Sequence, residues 1–561
     1  MRRFATAFII LAFVYAAFSP RPAVYSQQPD RARRRFVEGE MLVKLKQGVP
    51  PGDGLDQVAP LAPPGRFSRF ERIETSGGEL FLFKFDPRLS VQDAIRNTLS
   101  DPRVEYAEPN YLLRPAETVP NDEFFNLMWG LANDGNAGAA GADIGATRVW
   151  DITQGSQDVV VAVVDTGADL SHPDLAANAW VNPGEVAGNG VDDDRNGLVD
   201  DVNGWNFFSN NNRVFEDGFV DRHGTHVSGT IGAAGNNHLG VAGVAWRVKL
   251  MSVKFIGLMD GEIEGTTADA IKAINYVTAL RNRGVNLRAI NASWGDADRS
   301  NALRNAIAAA GQAGILFVTA AGNGGDDGRG DDVDQSPDYP SGWSKEVPSI
   351  ISVAALDRND RLPSYSNFGH ETVDVAAPGG VCNCSNGIYS TLPGGGYGYA
   401  FGTSMSAPHV TGIAALLWSV EPALTPAQVK QRIVSTAQPV TSLASRVVSS
   451  GRASAFNALT NAIPQGTPPS IRFLTTDKKS VTIDGLGFPK GSTVIEVNGV
   501  ALAGTKFDEA YKLANATYTR IKVKLGKPGL KTTFPAGIPV SVAVINTATG
   551  ERSSTISFTR N

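Results

Sequence analysis

Three residues far apart in the chain have the types and surroundings that nucleophilic catalysis needs. Ser404 stands in Gly402-Thr403-Ser404-Met405-Ser406-Ala407-Pro408-His409, ahead of the apolar run 410–420. The glycine permits a tight turn, so the serine falls at the N-terminus of a helix that reads as buried on most faces. First-turn N–H groups lack intrahelical partners, and with the helix dipole they can stabilise an oxyanion beside the hydroxyl. Pro408 is tolerable within that first turn. Alone, the stretch reads as well as a serine N-cap before an apolar helix. Asp165 closes the run Asp158-Val159-Val160-Val161-Ala162-Val163-Val164 and opens Asp165-Thr166-Gly167. That composition predicts a buried parallel strand ending at the carboxyl edge of a sheet, where α/β folds carry their sites. His223 lies in Asp221-Arg222-His223-Gly224-Thr225-His226, at the start of a glycine-spaced helix. A serine hydroxyl is a poor nucleophile until an imidazole takes its proton, and a carboxylate fixes that imidazole's tautomer and stabilises its charge.

The order along the chain is Asp165, His223, Ser404, which differs from the His-Asp-Ser and Ser-Asp-His orders of other hydrolases. A lipase or esterase elbow is excluded because Gly402-x-Ser404-x-Ser406 lacks the final glycine. Asp-Thr-Gly, His-Gly-Thr-His and Gly-Thr-Ser-Met-Ser-Ala-Pro resemble the three signatures of the subtilisin-like serine proteases (subtilases), with Ser406 where alanine is common in that family. The resemblance implies a serine endopeptidase for protein or peptide substrates, inhibited intramolecularly by its own propeptide and monomeric. A catalytically silent adhesion protein on the same scaffold is the competing reading, and the intact set argues against it.

Further roles follow from the resemblance. Asn323, in Ala320-Ala321-Gly322-Asn323-Gly324-Gly325 after the strand-like Ile315 to Thr319, takes the oxyanion-stabilising role, although Asn-Gly is also a common turn. Ser293-Trp294-Gly295 resembles the segment that pairs with substrate backbone as an added strand, with Trp294 walling the first specificity pocket against Ala321 and Gly322. Ser336-Pro337-Asp338-Tyr339-Pro340 matches the segment that closes the pocket base, placing Asp338 near the bottom. A carboxylate there would favour Lys or Arg. Trp294 and Gly322 suit a broad apolar slot, the family's commoner habit, and Asp338 turned outward towards Asp326 to Asp334 is equally open.

Calcium is the expected cofactor. Asp192, Asp194, Asn196, Gly197, Leu198, Asp200 and Asp201 form a D-x-D-x-N-G loop offering alternate oxygens to a hard cation, with Asn203 where an EF-hand has glutamate. A solvated acidic loop is the alternative. By resemblance a second site takes Asp174, the loop residues Asn237, Leu239 and Val241, and Asp122. His172, His226, His238 and His409 show no zinc-ligand spacing and read as structural; Cys382 and Cys384 close no useful loop and are either a strained pair or free thiols.

The elements that must hold these residues can be traced outward. With 561 residues, 42% hydrophobic side chains and a net charge of −5, the chain is long enough for several domains and offers no electrostatic case for nucleic acid. Met1-Arg2-Arg3 and the apolar run Phe4 to Phe18 predict a signal peptide over 1–26 and hence secretion, since the apolar core falls short of the ~20 residues a membrane helix needs. Arg31, Arg33, Arg34 and Arg35 read as a solvated tail. Residues 36–115 form an α+β propeptide, with strands at Glu40 to Leu45 and Glu79 to Phe85, a helix from Val91 to Leu99, and a last strand, Val104 to Tyr111, resembling the one that ends subtilase propeptides. An ordinary N-terminal domain is the alternative, and Thr118-Val119-Pro120-Asn121 reads as a loose joint. Over 122–463 strands and helices alternate, predicting an α/β catalytic domain of subtilisin-like fold with a parallel sheet covered on both faces. Thr425-Pro426-Ala427-Gln428 predicts a capping box opening a terminal helix. Residues 464–469 are a proline-rich linker, and 470–561 predict a β-sandwich that weakly resembles an IPT/TIG domain at Gly485 to Gly491.

Overall fold

The computed structural model describes residues 36–46, 67–75, 78–85, 90–111, 117–462 except 137, 296–297, 326 and 382–383, then 464 and, from 470 onward, all but 478, 490–492, 503–504, 508–516, 547–552, 554–555 and 561. The signal segment, the arginine cluster, most of the linker and Cys382 lie outside the described residues. After the first 20 residues the chain divides into two compact units, 21–116 and 117–561.

In the first unit an antiparallel sheet of order β2-β3-β1-β4 is built from β1 (Phe36–Leu45), β2 (Phe67–Thr75), β3 (Gly78–Phe85) and β4 (Val104–Tyr111). Period-two alternation sends Met41, Val43 and Leu45 of β1, and Phe81, Phe83 and Phe85 of β3, onto one face. Helix α1 (Val91–Leu99), capped by the Ser90 hydroxyl, covers that face with Val91 and Ala94. Strand β2 was not expected, because Phe-Ser-Arg-Phe-Glu-Arg-Ile-Glu-Thr carries too many charges to read as buried.

The central sheet of the second unit has nine strands. Its main members are β5 (Gly155–Asp165), β6 (Gly204–Asn206), β7 (Arg247–Lys254), β8 (Leu287–Ala292), β9 (Leu316–Ala320), β10 (Ile350–Leu356) and β11 (Val375–Pro378), with two short strands, β12 (Gln438–Pro439) and β13 (Gly451–Arg452), at one edge. The order is β12-β13-β11-β10-β9-β8-β5-β7-β6, and only the β12/β13 pair is antiparallel. Strand β5 feeds two cores. Val159, Val161 and Val163 join the cluster under α2 (Arg222–Gly232) and α5 (Thr403–Val420), while Val160, Ala162 and Val164 join the one under α3 (Thr267–Asn282) and α4 (Asn301–Gln312). Each fully buried valine contributes about 1.5–3 kcal/mol, so a continuous apolar run is what a strand covered on both sides must have.

Two sequence expectations meet opposite outcomes. Helix α6 (Pro426–Ser435) opens with the capping box, Thr425 accepting from the Gln428 N–H and the Gln428 side chain returning to Thr425. The loose joint at 118–121 is instead tied down: Thr118 donates its N–H to Asp151 Oδ1 at 3.0 Å, and Asn121 accepts the His238 N–H at 2.9 Å. Polar side chains near a junction read as solvated when their partners lie tens of residues away.

At the C-terminal end, two four-stranded sheets share one core that includes Val481, Ile483, Ile521 and Val523 from one and Ile495, Val497, Val540, Val542 and Val544 from the other. Three strands, Ser470–Thr476, Val500–Leu502 and Thr505–Phe507, and the helix Gly526–Thr533 were not legible in the sequence. Two of these strands have three residues, too few to show a period.

Candidate active site

Because the sheet is parallel, the ends of β5, β7, β8 and β9 lie along one carboxyl edge, and Asp165, Lys254, Ser293 and Asn323 lie at or just beyond those ends. Asp165 is 1% exposed and its Oδ1 accepts from the Thr166 N–H and from His223 Nδ1, both at 2.7 Å. His223 sits in the first turn of α2. Burial alone would pull its pKa down, but the charge and hydrogen bond of Asp165 outweigh burial and hold it above the ordinary histidine value. The two chain segments approach closely because both carry glycine: a Cβ on Gly224 would meet the Gly167 carbonyl oxygen at 2.2 Å.

Ser404 lies in the first turn of α5, whereas Pro408, expected in that turn as well, is the sixth residue of the helix and lies beyond it. This helix is buried along most of its length and has no side-chain N-cap. Packing stabilises it without a side-chain cap of its own; the Thr403 N–H goes to Asn323 Oδ1 and the Met405 N–H to the Gly402 carbonyl, and neither bond uses the Ser404 N–H between them. The Ser404 hydroxyl donates to the Ser293 carbonyl at 3.0 Å, and the Ser293 hydroxyl returns a bond to the Ser404 carbonyl at 2.8 Å. In this conformation the Ser404 hydroxyl is held by β8's trailing loop, whereas the sequence pointed to the imidazole.

Asn323 Oδ1 accepts the Thr403 N–H at 2.8 Å and the Thr403 hydroxyl at 2.9 Å. Two donors on the same oxygen settle the amide's orientation and leave Nδ2 as its donor. Gly402 precedes Thr403 with φ of 134°, a conformation that side-chain-bearing residues rarely adopt. Thr403 was not singled out in the sequence, though its hydroxyl next to the candidate nucleophile was a usable signal.

The pocket residues also converge. Asp338 stands between Gly295 and Gly322: a Cβ on Gly295 would meet Asp338 Oδ1 at 3.0 Å, and one on Gly322 would meet Oδ2 at 2.3 Å. Asn367 donates to Asp338 Oδ2 at 3.3 Å and to the Ala321 carbonyl at 3.0 Å. No spacing in the sequence announced Asn367. The Trp294 indole donates to the Val164 carbonyl at 2.8 Å and packs edge-on against Phe255, placing it against the core.

Of the metal candidates, Asp174 Oδ1 accepts from the Asn237 amide at 2.9 Å, and its Oδ2 accepts from the Val241 N–H and the Tyr397 hydroxyl, each at 2.9 Å. Leu239 donates its N–H to Asn237 Oδ1 at 2.9 Å. Asp122 Oδ1 is buried without a partner, and burial, together with the nearby Asp174 charge, raises the Asp122 pKa. An orphaned carboxylate oxygen beside a second carboxylate fits a cation. In the acidic loop the grouping differs from the alternating set. Glu185, Asp194 and Asp201 bring carboxylate oxygens within 4.8 Å of one another, and Glu185 Oε2 is buried without a partner. Asn196 donates to Asp194 at 3.1 Å and to Asp201 at 2.9 Å, and burial pushes the Asp201 pKa up to about 6. Asp192 instead accepts the Asn196 and Gly197 N–H groups, Asp200 accepts those of Gly188, Asn189 and Gly190, and Leu198 gives its N–H to Asn196. A tight glycine-rich loop exposes backbone donors that need acceptors, which diverts two carboxylates from the cluster. The sequence pattern missed Glu185 because it precedes the motif.

The four histidines read as structural are in hydrogen bonds: His172 with Gly396, His226 with Ile388, His238 with Asn121 and His409 with Met405. Burial lowers the pKa of His226 to about 3 and of His409 to about 4, so both are neutral near pH 7.

The profile described as "Subtilase family" matches residues 156–472, more than half of the chain. The chain belongs to the subtilase family. The profile of the fervidolysin N-terminal prodomain matches residues 22–110. This subtilase is 31% identical over 429 residues to a thermophilic serine proteinase of Bacillus sp. (strain AK1), covering 76% of this chain and 88% of that protein. It is 34% identical over 347 residues to subtilisin NAT of Bacillus subtilis subsp. natto, covering 62% and 73%. It is also 34% identical over 362 residues to subtilisin-like protease 1 of Plasmodium falciparum (isolate 3D7), covering 62% of this chain and about half, 49%, of that protein. It is therefore a subtilisin-like serine protease with an N-terminal prodomain.

Proposed function

We propose that this subtilase is a secreted endopeptidase made as a precursor, with Asp165, His223 and Ser404 as its triad and Asn323 as the side-chain donor of its oxyanion hole. The 2.7 Å bond between His223 Nδ1 and Asp165 carries the reading. It assigns the proton to Nδ1 and leaves the Nε2 lone pair as the base. Ser404 Oγ leaves the Ser293 carbonyl, gives its proton to Nε2 and attacks the peptide carbonyl. The first-turn N–H of α5 and Asn323 Nδ2 take the oxyanion charge. The imidazolium then protonates the amine as the C–N bond breaks, and water hydrolyses the acyl-enzyme. Fluorophosphonate labelling tests this: the processed enzyme is expected to take up one label at Ser404, and no label would favour a silent scaffold. Asn323→Leu is expected to lower kcat about 10²- to 10³-fold with little change in KM; a loss under threefold would remove Asn323 from the oxyanion hole.

The basic start followed by an apolar run supports export, and among the described residues no helix is long and apolar enough to cross a membrane. Maturation removes the first unit, which acts until then as an intramolecular inhibitor. Calcium fits both acidic sites. Asp122 and Asp174, with Asn237 and the 239–241 backbone, would hold one ion, and Glu185, Asp194 and Asp201 another, each supplying charge compensation to its loop. Excess chelator is expected to lower the thermal midpoint by several degrees and speed autolysis, with Asp194→Ala reproducing the loop's share; an unchanged midpoint would reject both sites. The C-terminal region, whose segment Gly485 to Gly491 weakly resembles the opening of an IPT/TIG domain, serves as a spacer.

The placement of Asp338 between Gly295 and Gly322 supports a cationic residue before the scissile bond, because a carboxylate at the base of a pocket attracts Lys or Arg by charge. Against a mixed peptide pool the enzyme is expected to cut after Lys and Arg, and Asp338→Ser to lose that preference about a hundredfold. Equal cutting after Phe and Leu by both proteins would show that Asp338 does not form the pocket base.

A further inference from the structure

Beneath the Asp165–His223 pair lies a buried ion pair that belongs to none of the three motifs. Lys254, the last residue of β7, is 2% exposed, and Asp221, which immediately precedes α2, is fully buried. The Lys254 ammonium has three protons and three acceptors: Asp221 Oδ1 at 2.5 Å, the Ile256 carbonyl at 2.9 Å, and the Thr166 carbonyl. Asp221 Oδ2 accepts the Glu216 and Asp217 N–H groups at 2.6 and 3.0 Å. An aspartate at the N-cap position usually caps its own helix. Here its side chain makes no cap bond and turns to Lys254, while the Gly224 N–H of the first turn is taken by the Thr166 hydroxyl at 3.1 Å.

Lys254 thus holds the residue after Asp165 and the residue two before His223 in one hand. The backbone just after β7 adds a bond from the Phe255 N–H to the Asp165 carbonyl at 3.0 Å. The fit is close, since a Cβ on Gly167 would lie 3.1 Å from Lys254 Cδ and 3.2 Å from Asp221 Cγ. A buried ion pair is a weak source of stability, because desolvating two charges offsets most of their attraction. What it supplies is a fixed geometry: both ions are fully hydrogen-bonded, so neither segment can shift without stranding a buried charge.

We infer that Lys254 and Asp221 are positioning residues that set the distance and orientation between Asp165 and His223. The inference rests on the proposed triad. Their effect reaches the reaction through the dyad: the charge that raises the His223 pKa is Asp165 on β5, and His226, one turn along α2, is neutral.

The test uses processed enzyme, with the first unit removed in trans by a tagged wild-type protease that is then depleted. The rate of fluorophosphonate labelling is measured against pH, since labelling needs the His223 base but no peptide-binding pocket. Lys254→Met/Asp221→Leu removes both charges and leaves neither stranded; Asp221→Asn keeps the shape and removes one. For folded variants the expected result is a labelling rate lowered about 10- to 100-fold, as a roughly 1 Å misplacement costs, with the acid limb moved to lower pH and peptide KM nearly unchanged. A folded variant within threefold of wild type and with an unmoved limb would overturn the inference. Failure of both variants to fold would overturn it too, because the pair would then hold the fold and not the dyad. His223→Ala is the control: if it labels like wild type, the triad reading itself fails, whatever the ion pair does.

Discussion

Ser404→Ala is expected to leave a full-length, folded and unprocessed protein with kcat reduced about 10⁶-fold. The triad acts as a unit, so removing the nucleophile leaves only the oxyanion donors and substrate binding, too little to cut the chain's own propeptide. The fold is expected to survive. Among the described residues the Ser404 hydroxyl makes one protein hydrogen bond, to the Ser293 carbonyl, whose loss costs about 1 kcal/mol. The reciprocal bond from the Ser293 hydroxyl goes to the Ser404 backbone and is untouched. Gel mobility of the purified variant with its thermal midpoint provides the check. A mature-sized band from a host free of related proteases would show that processing is not self-cleavage and does not need Ser404.

Asp165→Asn is expected to lower kcat about 10⁴-fold and to move the acid limb of kcat/KM downward. The carboxylate accepts the His223 Nδ1 proton at 2.7 Å. An asparagine with its oxygen at the Oδ1 position would still accept from the Thr166 N–H and His223 Nδ1 but without the charge that stabilises the imidazolium, and one flipped the other way would turn its amide donor to the imidazole and place the remaining proton on Nε2, the wrong nitrogen for a base. The direction of the pH shift follows from the causes of the His223 pKa. Burial lowers it, and Asp165 raises it by charge and hydrogen bond, with a net rise above 6.5. The base works when neutral, so wild-type activity is lost as pH falls through a value above 6.5. Without the carboxylate's charge the larger of the two raising causes is gone, and the limb moves to lower pH. A loss smaller than tenfold, or a limb that stays in place, would take Asp165 out of the triad.

The sequence was most informative where chemistry and local structure demand the same residues. An aspartate ending a valine run, a histidine among helix glycines and a serine behind Gly-Thr each occupy the only few positions a parallel α/β edge offers for side chains that must meet. The continuous run 159–164 could belong only to a strand covered on both faces, and the two cores that divide it bear this out. The catalytic-domain fold was legible for the same reason. The acidic loop was legible as a cation candidate but not as a ligand set. Composition says how many carboxylates are near; it does not say which ones the loop's own N–H groups will claim, or that Glu185 will fold back to join them.

By itself, then, the sequence determined the class of chemistry, the order of the reacting groups and the parallel sheet that displays them, because these depend on residue type and on periodicity along the chain. Tertiary structure decided what depends on distance between remote segments: that Thr403 orients Asn323, that Asp338 stands between Gly295 and Gly322, and that Ser293 holds the Ser404 hydroxyl. It also decided that Lys254 and Asp221, which read as an unremarkable strand end and helix start, meet 33 residues apart under the dyad. A hydrogen bond is fixed within a few tenths of an ångström, and no one-dimensional pattern encodes a separation of that kind between residues that the fold alone brings together.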